Sequence, residues 1–200
     1  MIEIKSITFA RGNHEIYSAF SSHLDMGESV LLTGPNGSGK STLIQLMGGL
    51  LKPHSGSIEI DGSNIDSLTS KEQALVRSIA PQRRSFTLAF TVDQIMNFLP
   101  RKARIDDNSY LMEQLGIQKI RNKKVTELSI GQQERVSLAL ALTQRANYYL
   151  LDEPFSAQDS ESTAKIMELI TELKKEKGIL VISHNQDAIS KQFDRVISLA

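Results

Sequence analysis

Residues 29–42 read Ser29-Val-Leu-Leu-Thr-Gly-Pro-Asn-Gly-Ser-Gly-Lys-Ser-Thr42. An apolar strand, Val30 to Thr33, runs straight into a glycine-rich turn, and a helical pattern, Leu43-Ile-Gln-Leu-Met47, leaves it. The turn fits G-x-x-x-x-G-K-[ST], with Gly34, Gly39, Lys40 and Ser41 at the fixed positions. The loop Gly34-Pro35-Asn36-Gly37-Ser38-Gly39 can bend at its glycines so that backbone N–H groups point into one hollow. The helix from about Lys40 adds its positive end, so an anion is expected against Gly34 to Thr42. Lys40 would reach the β- and γ-phosphates of a nucleotide as a point charge, and the Ser41 hydroxyl would ligate Mg²⁺.

The bulk numbers narrow the setting. Two hundred residues suit one domain, or one domain with an inserted lobe. The 23 basic and 23 acidic residues cancel, which gives no sign of a nucleic-acid surface. There is no cysteine, so disulfides are excluded and a reducing compartment is compatible. The opening Met1-Ile-Glu-Ile-Lys lacks a basic start before an apolar run, which predicts no secretory signal. No stretch approaches about 18 uncharged apolar residues. Work at a membrane would therefore need a partner to hold the chain there.

Outward from the loop, strands and helices alternate. Residues 2–9 alternate, slip phase near Lys5-Ser6 and alternate again, as a bulged strand would. Gly12-Asn13 marks a turn into a second strand, Ile16 to Leu24. The helix after the loop carries Leu43, Leu46, Met47 and Leu50, and Gly48-Gly49 and Pro53 end it. Ser57 to Asp61 is a short strand, Ser70 caps a helix, and Ile79-Ala-Pro is a strand ending on Gln82. Residues 83–128 are richer in polar residues, with helices at Thr91–Phe98 and Asn108–Leu115. They read as a helical lobe inserted between core strands. A Leu- and Ala-rich helix from about Gln132 to Gln144 leads to the strand Tyr148-Tyr-Leu-Leu-Asp152-Glu153. An amphipathic helix bearing Ile166, Leu169, Ile170 and Leu173 ends at Gly178. Ile179-Leu-Val-Ile suits the centre of a parallel sheet, His184 follows it, and Asp194 to Ala200 is a last strand. The expected fold is α/β around a parallel sheet, with Lys40, Asp152 and His184 on its ligand-binding edge.

Other residues supply chemistry for that edge. Asp152, after an apolar strand, can hold Mg²⁺ directly or through water. Glu153 can orient or deprotonate an attacking water; the bland alternative is a surface acidic pair. Gln82 has an amide that can accept from water and ligate Mg²⁺. His184 either hydrogen-bonds a γ-phosphate or is structural.

Together these residues resemble the ATP-binding subunit of ABC transporters, from end to end of the chain. Leu128-Ser-Ile-Gly-Gln132, with Gln133-Glu-Arg-Val-Ser-Leu-Ala after it, resembles the family signature. Ala80-Pro-Gln82 looks like its Q-loop, Ser156-Ala-Gln-Asp159 its D-loop and Ser183-His184 its H-loop. The resemblance implies a phosphate-loop NTPase (RecA-like) core with an N-terminal antiparallel β subdomain. The core would take 1–82 and 145–200, the helical subdomain about 83–144. It also implies ATP and Mg²⁺ as ligands and a head-to-tail dimer, with a copy of itself or a related subunit. Each ATP would lie between one subunit's phosphate loop and its partner's signature, so Ser129, Gly131 and Gln132, with Asp159 of the D-loop, are expected near nucleotide. Glu153 would be the general base, with His184 and Gln82 sensing the γ-phosphate. The stretch 83–100 would receive a membrane permease, which would place the chain peripherally on the cytoplasmic face. Phe86, Leu88 and Phe90 either form an apolar groove there or pack the lobe.

The chain also departs from the family pattern. Arg11 stands where an aromatic residue usually stacks on adenine, and a guanidinium can stack too. Ile130 replaces a common glycine, Gln158 the usual D-loop leucine and Leu140 a frequent arginine. The sequence stops at Ala200, before further strands many relatives have, so no C-terminal regulatory domain is expected. Residues 61–82 are similar to those of iron-chelate and vitamin B12 importers. A soluble ABC ATPase serving assembly, as in iron–sulfur cluster biogenesis, is the alternative. A DNA-linked head lacks its charge, and Asn122-Lys-Lys-Val breaks the guanine-reading pattern of GTPases.

Overall fold

The computed structural model describes residues 1–82, 86, 89–105, 107–184 and 189–199. The apolar run before the loop is strand β3 (Ser29–Thr33), buried at every residue. It belongs to a parallel sheet with strands at Arg77–Ala80, Tyr148–Asp152, Gly178–Ile182 and Arg195–Ser198. In chain order the strand of residues 77–80 is β6, and the others are β7, β8 and β9. The spatial order is β6-β7-β8-β3-β9, which puts the all-apolar β8 in the centre. A strand covered on both faces needs apolar residues at successive positions, and β3, β7 and β8 supply them.

The pleat divides these side chains between two cores. Val30, Leu32, Leu150, Leu180 and Ile182 join Leu43, Ile44, Leu46 and Met47 of helix α1 (Lys40–Met47) on one face. Leu31, Tyr149, Leu151, Ile179 and Val181 point to the other face. There they meet α5 (Ile130–Thr143) and α6 (Ser160–Leu173), named in chain order with α2 (Ser70–Val76), α3 (Val92–Met96) and α4 (Ser109–Gln114).

The N-terminal half adds an antiparallel sheet of order β2-β1-β4-β5, from β1 (Ile2–Arg11), β2 (His14–Leu24), β4 (Ser55–Ile60) and β5 (Ser63–Asn64). The phase slip is a register shift between Ile4 and Ile7, with Ser6 at φ 46°. Helices α3 and α4 lie between β6 and α5 in the chain, within the stretch expected to be a helical lobe. The C-terminal half of α5 reaches the sheet, where Ser78 Oγ donates to Ala141 O at 2.8 Å.

Several boundaries differ from the sequence reading. Thr69, not Ser70, caps α2, because Glu72 stands three residues on and closes a capping box. By the same logic α5 starts at Ile130, capped by Ser129 with Gln132. Leu50 lies past the end of α1 and is exposed. Helix α6 stops at Leu173, and Gly178 opens β8 instead of ending the helix. Strand β9 stops at Ser198, and Ala200 lies outside the described residues. In the expected permease-facing stretch 83–100, residues 83–85, 87 and Leu88 also lie outside them. Phe86 packs against the core, whereas Phe90 is exposed.

Candidate active site

The loop after β3 is shaped by what a side chain could not do there. Gly34 has φ 144°, and a Cβ on it would fall 2.6 Å from the Leu199 carbonyl oxygen. Gly39 has φ 96°, and a Cβ would meet Ile16 at 2.5 Å. Tyr17 props the loop from beneath, its hydroxyl donating to Gly39 O at 2.9 Å. Because Gly39 is the N-cap of α1, no side chain caps that helix, and no acidic residue lies in its first turn. The positive helix end therefore faces the cleft with no acidic residue of its own.

Lys40 is only 7% exposed. Its ammonium donates to Gly34 O and Pro35 O, both at 2.8 Å, which closes the loop around its own cation. The next side chain, Ser41, lines the same cleft as the Asp152 carboxylate at the end of β7 and pulls its pKa down. Asp152 is 8% exposed, and its Oδ1 is buried with no hydrogen-bond partner. Burial raises its pKa, against the opposing pull of Ser41, Lys40 and His184. An orphaned carboxylate oxygen beside a hydroxyl, with Lys40 near, is a donor set that fits a hard cation such as Mg²⁺.

Glu153 follows Asp152 past the strand end. Its φ is 54°, rare for a residue with a side chain, and its N–H donates to Ile182 O at 3.0 Å. Glu153 Oε1 lies 3.1 Å from His184 Nε2. The same oxygen satisfies no hydrogen-bond geometry, so the contact is a close approach of charge rather than an aligned bond. Burial is the main cause raising the Glu153 pKa; Asp152 adds to it, and His184 and Lys40 act the other way.

One cleft of about 430 Å³ gathers most of the expected residues. Arg11, Asn36, Gly37, Gly39, Lys40, Ser41, Thr42, Gln82, Asp152, Glu153 and His184 line it. Gly34, Pro35 and Ser38 complete the loop behind that wall. His14 and Ile16 line it as well, and the sequence reading missed them. Their signal was the Gly12-Asn13 turn, which pairs His14 with Arg11 across the hairpin. The Arg11 guanidinium is itself engaged, Nη2 donating to Gln45 Oε1 at 3.0 Å.

Ser129, Gly131, Gln132 and Asp159 do not line this cleft. Ser129 is exposed at the tip of α5, and Ile130 beside it is 71% exposed. The side chains of Ser129 and Gln132 cap α5 reciprocally. Asp159 caps α6 through the Ser162 N–H at 2.7 Å, a bond that holds its carboxyl below the usual range.

A family model described as ABC transporter matches residues 17–156. The petrobactin import ATP-binding protein YclP of Bacillus subtilis (strain 168) is 29% identical over 209 residues, spanning 100% of this chain and 83% of that protein. The manganese transport system ATP-binding protein MntB of the same organism is 32% identical over 211 residues, spanning 99% and 82%. Among solved structures, the dimeric post-hydrolysis state of the ATP-binding cassette MJ0796 bound to ADP and Pi superposes with a TM-score of 0.85. It is 27% identical, over 100% of this chain and 94% of that one.

Proposed function

This chain belongs to the ABC transporter family and is an ATPase of that family; we propose that it powers import of a metal or metal chelate through a separate membrane permease. The observation that carries the ATPase reading is the meeting of Lys40, Ser41, Asp152, Glu153 and His184 at the uncapped end of α1. The import reading rests on relatives named for petrobactin import and manganese transport, and on the character of residues 61–82.

In this reading the triphosphate lies along the loop from Asn36 to Thr42. Backbone N–H groups and the α1 dipole hold its charge, and Lys40 moves from its carbonyl partners to the β- and γ-phosphates. Ser41, Asp152 and Gln82 would hold Mg²⁺, which when bound neutralises charge shared by the β- and γ-phosphate oxygens. Glu153 takes a proton from the attacking water as its oxygen closes on phosphorus. His184 keeps that carboxylate ionised and reaches the γ-phosphate.

The exposed tip of α5, Ser129 and Ile130, with Gly131 beneath it, would seal the nucleotide of a second subunit stacked head to tail. Unlike α1 this helix is side-chain capped, so the N–H groups of Ile130 and Gly131, which the Ser129–Gln132 box does not use, would face the phosphate. Among the described residues no helix is long and apolar enough to cross a membrane. We place the chain on the cytoplasmic face through its permease, with the lobe around 89–100 and Phe90 as the docking side.

Two measurements test this. Lys40→Ala should weaken ATP binding on the order of a hundredfold. Detergent extraction with a tagged chain should recover an integral membrane protein; recovery of soluble proteins alone would defeat the transport reading and leave an assembly ATPase.

A further inference from the structure

The loop between Glu153 and α6 is fastened to the tip of α5 by one side chain, Gln158. Its Nε2 donates to Gly131 O (3.3 Å), to Glu134 Oε2 (3.3 Å) and to Ser156 O (3.1 Å). Its Oε1 accepts from Arg135 Nη1 at 2.8 Å. Ser156 Oγ adds a second tie, to Glu134 Oε1 at 3.0 Å. The two backbones also touch: a Cβ on Gly131 would fall 2.7 Å from Ala157 O. The clasp is therefore built from both termini of the amide and leaves no slack between loop and helix tip.

The loop it grips is conformationally constrained. Glu153 has φ 54° and Ala157 has φ 52°, a region that side-chain-bearing residues hold only when their surroundings fix them. Ser156 N–H donates to Glu153 O at 3.1 Å, so the turn that starts at Glu153 is the turn Gln158 holds. A displacement of the α5 tip has a rigid polar path to the carboxylate.

We propose that Gln158 is a positioning residue that couples the tip of α5 to Glu153. This rests on the ATPase reading, in which the tip touches the partner's nucleotide while Glu153 acts on its own. Under that reading, closure on one nucleotide sets the carboxylate geometry at the other. Leucine at this position would make none of the polar contacts.

The test compares ATP turnover, as a function of ATP concentration, with equilibrium ATP binding. Gln158→Leu should lower kcat about tenfold and flatten the concentration dependence, while ATP affinity stays within about twofold. Gln158→Glu keeps the side-chain length and the Arg135 pair but removes the donor to Gly131 O, Ser156 O and Glu134. It should lower kcat at least as much as Gln158→Leu, with ATP affinity again within about twofold. Unchanged kcat and steepness in Gln158→Leu would overturn the proposal, as would a Gln158→Glu variant that turns over like the parent. A parent chain that neither binds nor hydrolyses ATP is a different result: it overturns the ATPase reading, and the coupling falls with it.

Discussion

Glu153 Oε1 approaches His184 Nε2 to 3.1 Å across the C-terminal ends of the neighbouring parallel strands β7 and β8. The carboxylate is buried and the imidazole is half exposed, so the pair has one dry member and one wet one. Burial drives the Glu153 pKa up, and His184 is the largest influence drawing it back. A general base must be ionised at the working pH. In the proposed mechanism His184 therefore serves the Glu153 base as much as the phosphate.

Replacing the imidazole should expose that dependence. In His184→Ala the Glu153 pKa rises further, so the acid limb of the ATPase pH profile moves to higher pH. At neutral pH, kcat should fall about a hundredfold. The check is a kcat–pH profile of parent and variant; an acid limb that stays in place while kcat drops would confine His184 to phosphate contact.

Glu153→Gln keeps the side-chain shape and removes the proposed base. Hydrolysis should fall by about 10²–10⁴-fold while ATP still binds. With the nucleotide intact, the closed dimer should accumulate. Size-exclusion chromatography with ATP reads this directly, and a variant that stays monomeric at every ATP concentration would speak against closure across the α5 tip.

Asp152 gives a prediction about stability. Unfolded, it titrates near the ordinary carboxylate value of about 3.9; folded, its pKa is higher. Between the two values the folded state holds the extra proton, so stability falls as pH rises through that window and stays lower above it. Asp152→Asn, neutral throughout, should melt about 2–4 °C above the parent at pH 7.5 without Mg²⁺. That gain should vanish as the pH drops through the window. Thermal unfolding across pH decides it: a variant less stable than the parent at pH 7.5 would show that the buried Asp152 charge is not a net cost to the fold.

Much of this site was legible in the sequence because it is built from strand ends. Gly34 to Thr42 follow β3, Asp152 and Glu153 follow β7, and His184 follows β8, so a correct reading of three apolar runs brought them to one edge. Side chains whose role depends on a distant partner were harder to read. Arg11 lines the cleft, but its bond to Gln45, which depends on how the β1–β2 hairpin lies over α1, was not legible. Gln158 registered only as a departure, because its partner Gly131 is 27 residues away in sequence. Ser129 and Gln132 carry a cap signal, S-x-x-Q, which is local and so legible without any distant partner. Helix boundaries slipped by a residue or two.

The loop glycines separate two kinds of constraint, and a pair of substitutions measures them. Both Gly34 (φ 144°) and Gly37 (φ 86°) have backbone conformations that disfavour a side chain. At Gly34 the added Cβ would also strike backbone, the Leu199 carbonyl at 2.6 Å, as well as Ser38 Oγ at 2.8 Å. Backbone cannot swing aside, so the loop must shift away from β9. At Gly37 a Cβ meets nothing within 4 Å, and only the φ cost remains. Gly37→Ala should therefore cost about 1 kcal/mol, and Gly34→Ala about 2–3 kcal/mol. In thermal unfolding those costs correspond to drops of roughly 2–4 °C and 4–12 °C. Nucleotide titration adds the second axis. If Gly37 faces the phosphates, Gly37→Ala loses ATP affinity out of proportion to its small loss of stability, because the new methyl occupies the approach of the ligand. Equal melting shifts for the two variants would contradict the steric argument at Gly34. Unaltered ATP affinity in Gly37→Ala would move the triphosphate off this turn of the loop.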